Sequence, residues 1–451
     1  RADLRPFRAD GSVFAVGTAG SGGGIETTTL KRVQANEKKG WVSVMLVQLG
    51  CMVCVPSLML GGLLSSAMPT YQAILSSVVG FIIVNVLISL CGIVGCEVGV
   101  PSSVVAKACF GEKGARFVIG ALWTVIAIGW FAVSNRVCGF AFVEFVNSKF
   151  DINFPPSVSI AFWGIIMLLT AVWGFNAIEK LNVIATPALL IVSVIGCVIL
   201  FNHYGISGLN NEAEETTMTF MEGVCLTISF SSFAIGAAPD FTRYQKNRKD
   251  TILANSLGIG GVGFCMMLLG LILTKMTGEY DISLVFMAVG IPMLGLIVLV
   301  LATWTTNTAN AYSGGINIVM FLGLKDEKRS TATLIAGIIA TIVALTGVTD
   351  NFEGFLNFSG NALLPLTGVI TADFWIRRKA NADNWSYRTG WDFIGFASVI
   401  IGTAIAIIIP YGAPVIQGYL SAGLAYLILK YIEKKVLKEK IPEEIRPEME
   451  I

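Results

Sequence analysis

The sequence predicts an all-α integral membrane protein of twelve transmembrane helices. Three observations carry that prediction: a composition poor in charge, a succession of apolar runs long enough to cross a bilayer, and an alternation of Lys and Arg between their connections. Of 451 residues, 54% are hydrophobic and 14% charged, whereas a soluble domain carries about 25% charged residues. A span takes about 20 apolar residues, so the length accommodates one domain of many spans better than two or three soluble domains. The net charge of +1 implies no polyanionic partner. The single histidine, His203, falls in a predicted loop, which argues against histidine-based metal chemistry and His-centred triads.

Apolar runs place helices near 41–63, 70–95, 115–146, 157–174, 178–202, 218–238, 252–276, 291–322, 330–347, 354–376, 391–409 and 412–433. Residues 1–24 are set apart, because Gly20-Ser21-Gly22-Gly23-Gly24 resembles an expression linker; residues 25–40 then form an N-terminal segment. The stretch 101–112 is short and amphipathic, as a re-entrant or interfacial piece would be. With the N-terminus inside, basic residues belong to the even-numbered connections. There stand Lys107, Lys113, Arg116, Lys180, Arg243, Lys246, Arg248, Lys249, Lys325, Lys328, Arg329, Arg377, Arg378, Lys379, Arg388 and the basic C-terminal end, against only Lys149 and Lys275 on the other side. A miscounted helix would scramble that alternation. The cysteines lie in or beside apolar runs. Cys51-x-x-Cys54 sits within a span and lacks a second ligand pair, so these residues read as small buried hydrophobes and not as a disulfide framework.

The first span carries Gly50, Pro56 and Gly61-Gly62, and the sixth carries a Ser-rich stretch, Ser229 to Ser232, followed by Gly236 and Pro239. Unwound backbone survives in a membrane only where protein or a wet cavity surrounds it. Interrupted helices at matching positions of two halves point to a transporter's binding site, although Gly and Pro also serve helix packing. The eighth span holds the densest polar stretch, Thr303 to Ser313. Thr303 and Asn307 share a face, as do Thr306 and Asn310. A lipid-facing helix would not tolerate that stretch, so it predicts the lining of a wet site. It contains no carboxylate for a proton relay, and its neutral oxygens suit a hard cation, with Na+ the natural candidate. In the third span, Trp130 stands beside Gly129, where its indole could stack on a flat ligand or simply pack.

Gly129-Trp130-Phe131, Pro239-Asp240-Phe241-Thr242-Arg243-Tyr244, Trp304-Thr305-Thr306-Asn307, Gly368 through Phe374 and Phe110-Gly111-Glu112-Lys113-Gly114 together resemble the nucleobase–cation symporter-1 family, of the purine/cytosine permease type. The resemblance covers residues 38–435 and rests on the order and spacing of these landmarks. It implies a leucine-transporter-like five-plus-five inverted repeat, with the first repeat at 41–202 and the second at 203–376. Two further helices would lie within 377–435, and 436–451 would form a cytoplasmic tail. It also implies uptake of a nucleobase or related heterocycle by alternating access in the plasma (inner) membrane, coupled to Na+ or H+. By alignment, a Na+ site would use the carbonyls of Gly50, Val53 and Ala302 and the hydroxyls of Thr305 and Thr306. Substrate would stack on Trp130 and on Phe230 or Phe233, with Ser229, Ser231, Ser232, Asn307 and Asn310 as hydrogen-bonding candidates. One position departs from the pattern: cytosine permeases carry a glutamine three residues before the tryptophan, and here stands Ala127. Losing a bidentate amide alters recognition, so the resemblance supports the wider substrate class rather than cytosine itself.

Arg136 reads either as a residue pairing near a helix end or as a substrate contact. Glu222 reads as interfacial, and Asp240 with Arg243 as a structural or gating pair. Competing readings keep the fold and carry an amine or amino-acid-like substrate, or couple to H+; a non-transporting receptor or membrane enzyme is a third. No metal cluster, catalytic carboxylate pair or nucleophile–base set appears in the spans.

Overall fold

The computed structural model describes residues 30–174, 176–185, 216–277, 292–347, 350–409 and 411–436, with isolated positions between 187 and 202. Among the described residues the regular structure is helical, and a parallel bridge pairs Lys39 with Gln245. The helices are α1 (Trp41–Met52), α2 (Val55–Ala67), α3 (Thr70–Val98), α4 (Ser102–Val105), α5 (Lys107–Gly114), α6 (Gly120–Phe150), α7 (Pro156–Val172), α8 (Phe220–Phe230), α9 (Ser232–Thr242), α10 (Arg248–Asn255), α11 (Val262–Thr277), α12 (Pro292–Leu322), α13 (Arg329–Thr346), α14 (Phe352–Ala372), α15 (Phe393–Ile408) and α16 (Pro414–Val436). Residues 176–185 are helical as far as they are described; most of the fifth predicted span, His203 and the segments 1–24 and 437–451 lie outside the described residues.

Six helical stretches among the described residues are long and apolar enough to cross a membrane on their own, and α1 with α2, bent by 52°, makes a seventh. Helices α7 and α15 are apolar and shorter, and α12 is the helix with the polar interior. The face that each span turns outward is apolar, as with Ile82, Val86, Ile400, Ile407, Leu420 and Leu424. The inner faces hold the small and polar residues that let helices approach closely.

The break between α1 and α2 follows from Pro56. Its ring lacks the N–H that would reach the Met52 carbonyl and crowds that carbonyl sterically. The Met52 oxygen is satisfied instead by the Cys54 N–H at 2.9 Å and the Ser57 hydroxyl at 2.6 Å. Cys54 N–H, thus diverted, no longer serves Gly50; Ser57 N–H turns to Cys54 and no longer serves Val53. Two carbonyls are released by one proline. Gly61, by contrast, lies inside the intact α2. A Cβ there would fall 1.9 Å from the Met267 carbonyl, so this glycine serves the close packing of α2 on α11.

The sixth predicted span differs from its expectation. Helices α8 and α9 meet at Ser231 (φ −86°, ψ −1°), whose N–H bonds Ile228, and Phe220–Thr242 runs as one span. Gly236 is helical and packs against Trp123, and Pro239 is accommodated within α9. The interruption expected around Gly236 is therefore a single tightened turn five residues earlier.

The stretch 101–112 forms α4 and the start of α5, whose Ser102, Ser103 and Phe110 are fully covered by protein. Arg136 makes a bidentate pair with Asp350 and donates to the Ala344 carbonyl near the C-terminal end of α13. That settles it as a helix-end partner. Glu222 closes a capping box with Thr219 at the start of α8. The described cysteines are all free.

Candidate functional site

The carbonyls released at the α1–α2 break face the polar stretch of α12. The Thr305 hydroxyl lies 3.0 Å from the Gly50 carbonyl and 2.9 Å from that of Ala302. The Thr306 hydroxyl lies 3.1 Å from Gly50 O and 3.4 Å from Cys51 O. Gly50, Ala302, Thr305 and Thr306 thus converge on one point, all buried. Val53, with its released carbonyl, sits in the break itself. These are neutral oxygens at a helix break, the donor set that transporters use for monovalent cations. Asn182, from the helical residues 176–185, closes the back of the point: a Cβ on Gly50 would lie 1.6 Å from its Oδ1. Only glycine fits there.

Beside this point lies a cavity of about 610 Å³ of empty volume, counting the solvent at its mouth. Its wall includes Trp130, Phe230 and Phe233, the break residues Cys51 and Cys54, and Thr306 and Asn310 of α12. Trp130 is 6% exposed, and Phe230 at 5.4 Å, Phe355 at 5.2 Å and Phe352 at 6.4 Å between ring centroids stand nearly perpendicular to it. Edge-to-face contacts fix the indole plane and leave its Nε1 buried without a partner. Ala127, one turn before Trp130, is buried and contributes no polar atom.

Not every sequence candidate reaches this wall. Ser232 is bonded to Ser359 of α14 at 2.8 Å. Ser231 occupies the tightened turn, and both it and Ser229 are fully covered by protein. Asn307 turns from the cavity and donates to the Phe131 carbonyl at 3.3 Å, knitting α12 to α6. Asn310, one turn on, does line the cavity and holds Asn307 Oδ1 at 3.5 Å. Helical period explains the split: a polar run of eleven residues covers every face of α12, so some of it must contact neighbouring helices. Ser313, the last residue of the predicted wet-site stretch, is on the wall, and sequence reasoning missed Gln48 of α1, also on it. A buried glutamine in an apolar run was the available signal for Gln48.

Next along the chain from the wall residues Phe241 and Ser313 stands a cluster of hydrogen-bonded side chains. Asp240 accepts from the Ser102 N–H at 2.9 Å and from its hydroxyl. Arg243, fully buried, donates to the Tyr312 hydroxyl at 3.0 Å and the Tyr244 hydroxyl at 3.1 Å, and its Nε donates to the Asp240 carbonyl. The Lys39 N–H meets the Tyr244 carbonyl at 2.6 Å, tying the segment before α1 to the same cluster.

A family model described as permease for cytosine/purines, uracil, thiamine, allantoin matches residues 16–429. The cytosine permease of Escherichia coli K12 is 28% identical over 402 residues, covering 89% of this chain and 93% of that protein. The hydantoin permease of Microbacterium maritypicum is 23% identical over 384 residues, covering 77% of each. Among solved structures, the nucleobase-cation-symport-1 family transporter Mhp1, closed with bromovinylhydantoin bound, superposes with a TM-score of 0.78 at 18% identity, over 90% of this chain and 96% of that one. A Na+-coupled sialic acid symporter superposes with a TM-score of 0.66 at 12% identity, over 94% of each. Both likenesses are of fold.

Proposed function

The chain belongs to this permease family, a group of multi-pass membrane transporters and not of enzymes, and from that premise we propose that it imports a nucleobase or related small heterocycle, driven by Na+ through alternating access. The observation that carries the reading is the junction of the ion point with the ring cavity. Thr306 belongs to both, its hydroxyl on the Gly50 carbonyl and its side chain on the cavity wall. Trp130 supplies the stacking face, with Phe230 and Phe233 beside it. Stacking on an aromatic platform is worth about 1–3 kcal/mol per base.

Na+ entering among Gly50, Val53, Ala302, Thr305 and Thr306 would draw the Thr hydroxyl oxygens off their carbonyl partners and onto the ion. Helix α12 and the α1–α2 break would then be tied by the cation. Substrate lying against the same break gains from that order, and linkage requires it to raise ion affinity by the same factor. In this reading residues 41–202 and 203–376 are the two repeats, both termini are cytoplasmic, and the Asp240–Arg243–Tyr312 cluster stands toward the cytoplasmic side of the plasma (inner) membrane. The alternative of H+ coupling finds no carboxylate in the ion point.

Thermal-shift titration with a panel of nucleobases, hydantoins and amines, with and without Na+, tests the reading. Rings should raise the melting temperature, since only what binds the folded state stabilises it, and Na+ should enlarge their effect. Stabilisation by amines alone would overturn the substrate class. Ring binding and proteoliposome uptake indifferent to Na+ would overturn the coupling.

A further inference from the structure

Gln48 of α1 is 2% exposed and lies on the cavity wall, yet its two amide atoms are treated differently. Its Nε2 donates to Asn255 Oδ1 at 2.6 Å, and its Oε1 is buried without a partner. The chain of bonds leaves no freedom in that orientation. Asn255, at the end of α10, is fully buried and gives its Nδ2 to the Ile88 carbonyl of α3 at 3.1 Å. A carbonyl only accepts, so Asn255 must point its amide nitrogen at Ile88 and its oxygen at Gln48. An oxygen there demands a donor, so Gln48 must present Nε2 to Asn255. What remains is Oε1, a buried acceptor without a partner, on a residue of a cavity whose wall is otherwise mostly aromatic and aliphatic.

A buried acceptor left unpaired is costly, and a site built around one discriminates strongly for ligands that satisfy it. We propose that Gln48 is a specificity-determining residue of this cavity: its Oε1 accepts a hydrogen bond from an amino group projecting from the bound ring, and Asn255 is the positioning residue that fixes its polarity. This rests on the reading of the cavity as a heterocycle site and sharpens it to amino-substituted rings. The acceptor stands on the first half of the broken helix, before Gly50. A ring stacked at Trp130 with its substituent on Gln48 would therefore tie α6 to the first half of the break.

Equilibrium binding to the purified full-length chain in Na+ tests this with ring pairs that differ only in the amine: cytosine against 2-pyrimidinone, and adenine against purine. Wild type should bind the amino member of at least one pair about tenfold or more tightly. Gln48→Ala should bring that ratio close to one, chiefly by weakening the amino ring. Asn255→Leu should also collapse the ratio while the unsubstituted ring keeps its affinity, because the freed amide can then turn either end to the ligand. A merely structural role would shift both members of a pair together. Melting temperature without ligand verifies that each variant folds, and if Gln48→Ala does not, Asn255→Leu and the shape-matched Gln48→Met carry the test. An undiminished ratio in the folded variants, or a wild type indifferent to the amine, overturns the assignment. Absence of binding by all four rings to wild type overturns instead the heterocycle reading beneath it.

Discussion

The first and sixth predicted spans invite comparison, because the sequence marks both with helix-weakening residues and the structure treats them differently. Between α1 and α2 the chain turns by 52° and releases carbonyls, which α12 meets with two hydroxyls. Between α8 and α9 the helix only tightens at Ser231, and Phe230 and Phe233 contribute rings to the cavity wall. The difference lies in where proline falls. Pro56 lies at the start of a new helical segment, where its missing N–H removes a bond to the segment before. Pro239 lies eight residues beyond Ser231, near the end of α9, with its carbonyl still accepting from Arg243 N–H. On the function proposed above, one span would supply backbone oxygen for an ion, and the other side chains for a ring.

If this division of labour holds, the largest effect belongs to the backbone side. Replacing both Thr305 and Thr306 with Ala removes the hydroxyls that face Gly50. Uptake and substrate affinity in the double variant should lose their Na+ dependence altogether. A retained Na+ dependence would place the ion elsewhere and break the comparison. On the side-chain half, Trp130→Ala removes the platform itself. Its substrate affinity should fall by about 1–3 kcal/mol, roughly fivefold to 150-fold, while Na+ still raises the melting temperature of the empty protein. Parallel loss of the ion response would mean that ring and ion sites are not separable.

Two glycines sharpen the comparison through stability. A Cβ on Gly50 would fall 1.6 Å from Asn182 Oδ1, whereas one on Gly236 would meet Trp123 Nε1 at 3.0 Å. Gly50→Ala must displace a buried asparagine and should cost about 1–3 kcal/mol. Gly236→Ala should cost less, since it sits in an intact helix at near-contact distance. Thermal melting of both, with Gly50→Ala also made in an Asn182→Ala background, measures the difference. Relief of the Gly50→Ala cost in the double variant would show coupling between the two residues.

Much of this was legible in the sequence, for physical reasons that also explain the rest. The described helices fall on the apolar runs, because a span must bury its backbone bonds within itself whatever its neighbours are. The polar stretch of the eighth span was readable because a lipid-facing helix would not tolerate it, whereas Thr305 and Thr306 were singled out within it only by the family resemblance. The position of the break was readable only in part: Pro56 and Gly50 were noted, but which carbonyls are freed depends on where Cys54 and Ser57 redirect their bonds. Gly61 and Gly236 looked like weak points and are packing contacts, since a glycine's effect is decided by the neighbour it admits. Asn307 and Asn310 could not be told apart from composition alone, because three residues along a helix turn one amide to α6 and leave the other on the cavity. Gln48 escaped notice for a similar reason. A lone glutamine in an apolar run becomes informative only once Asn255, some two hundred residues away in sequence, is seen to fix its orientation.

The smallest effect tests the quiet side of the comparison. Ser232 looked like a ring contact, and its hydroxyl is spent on Ser359 across the α9–α14 interface, where both residues are fully buried. Ser232→Ala leaves one buried hydroxyl without its partner, a loss of about 1 kcal/mol of stability. Ser359→Ala should cost a similar amount, and the double variant less than the sum of the two, because each single change already removes the shared bond. Substrate affinity and Na+ response should stay at wild-type values in all three. A fall in affinity confined to Ser232→Ala would instead bring α9's hydroxyls into the ring site, and with it end the distinction between a span that offers backbone oxygen and one that offers only rings.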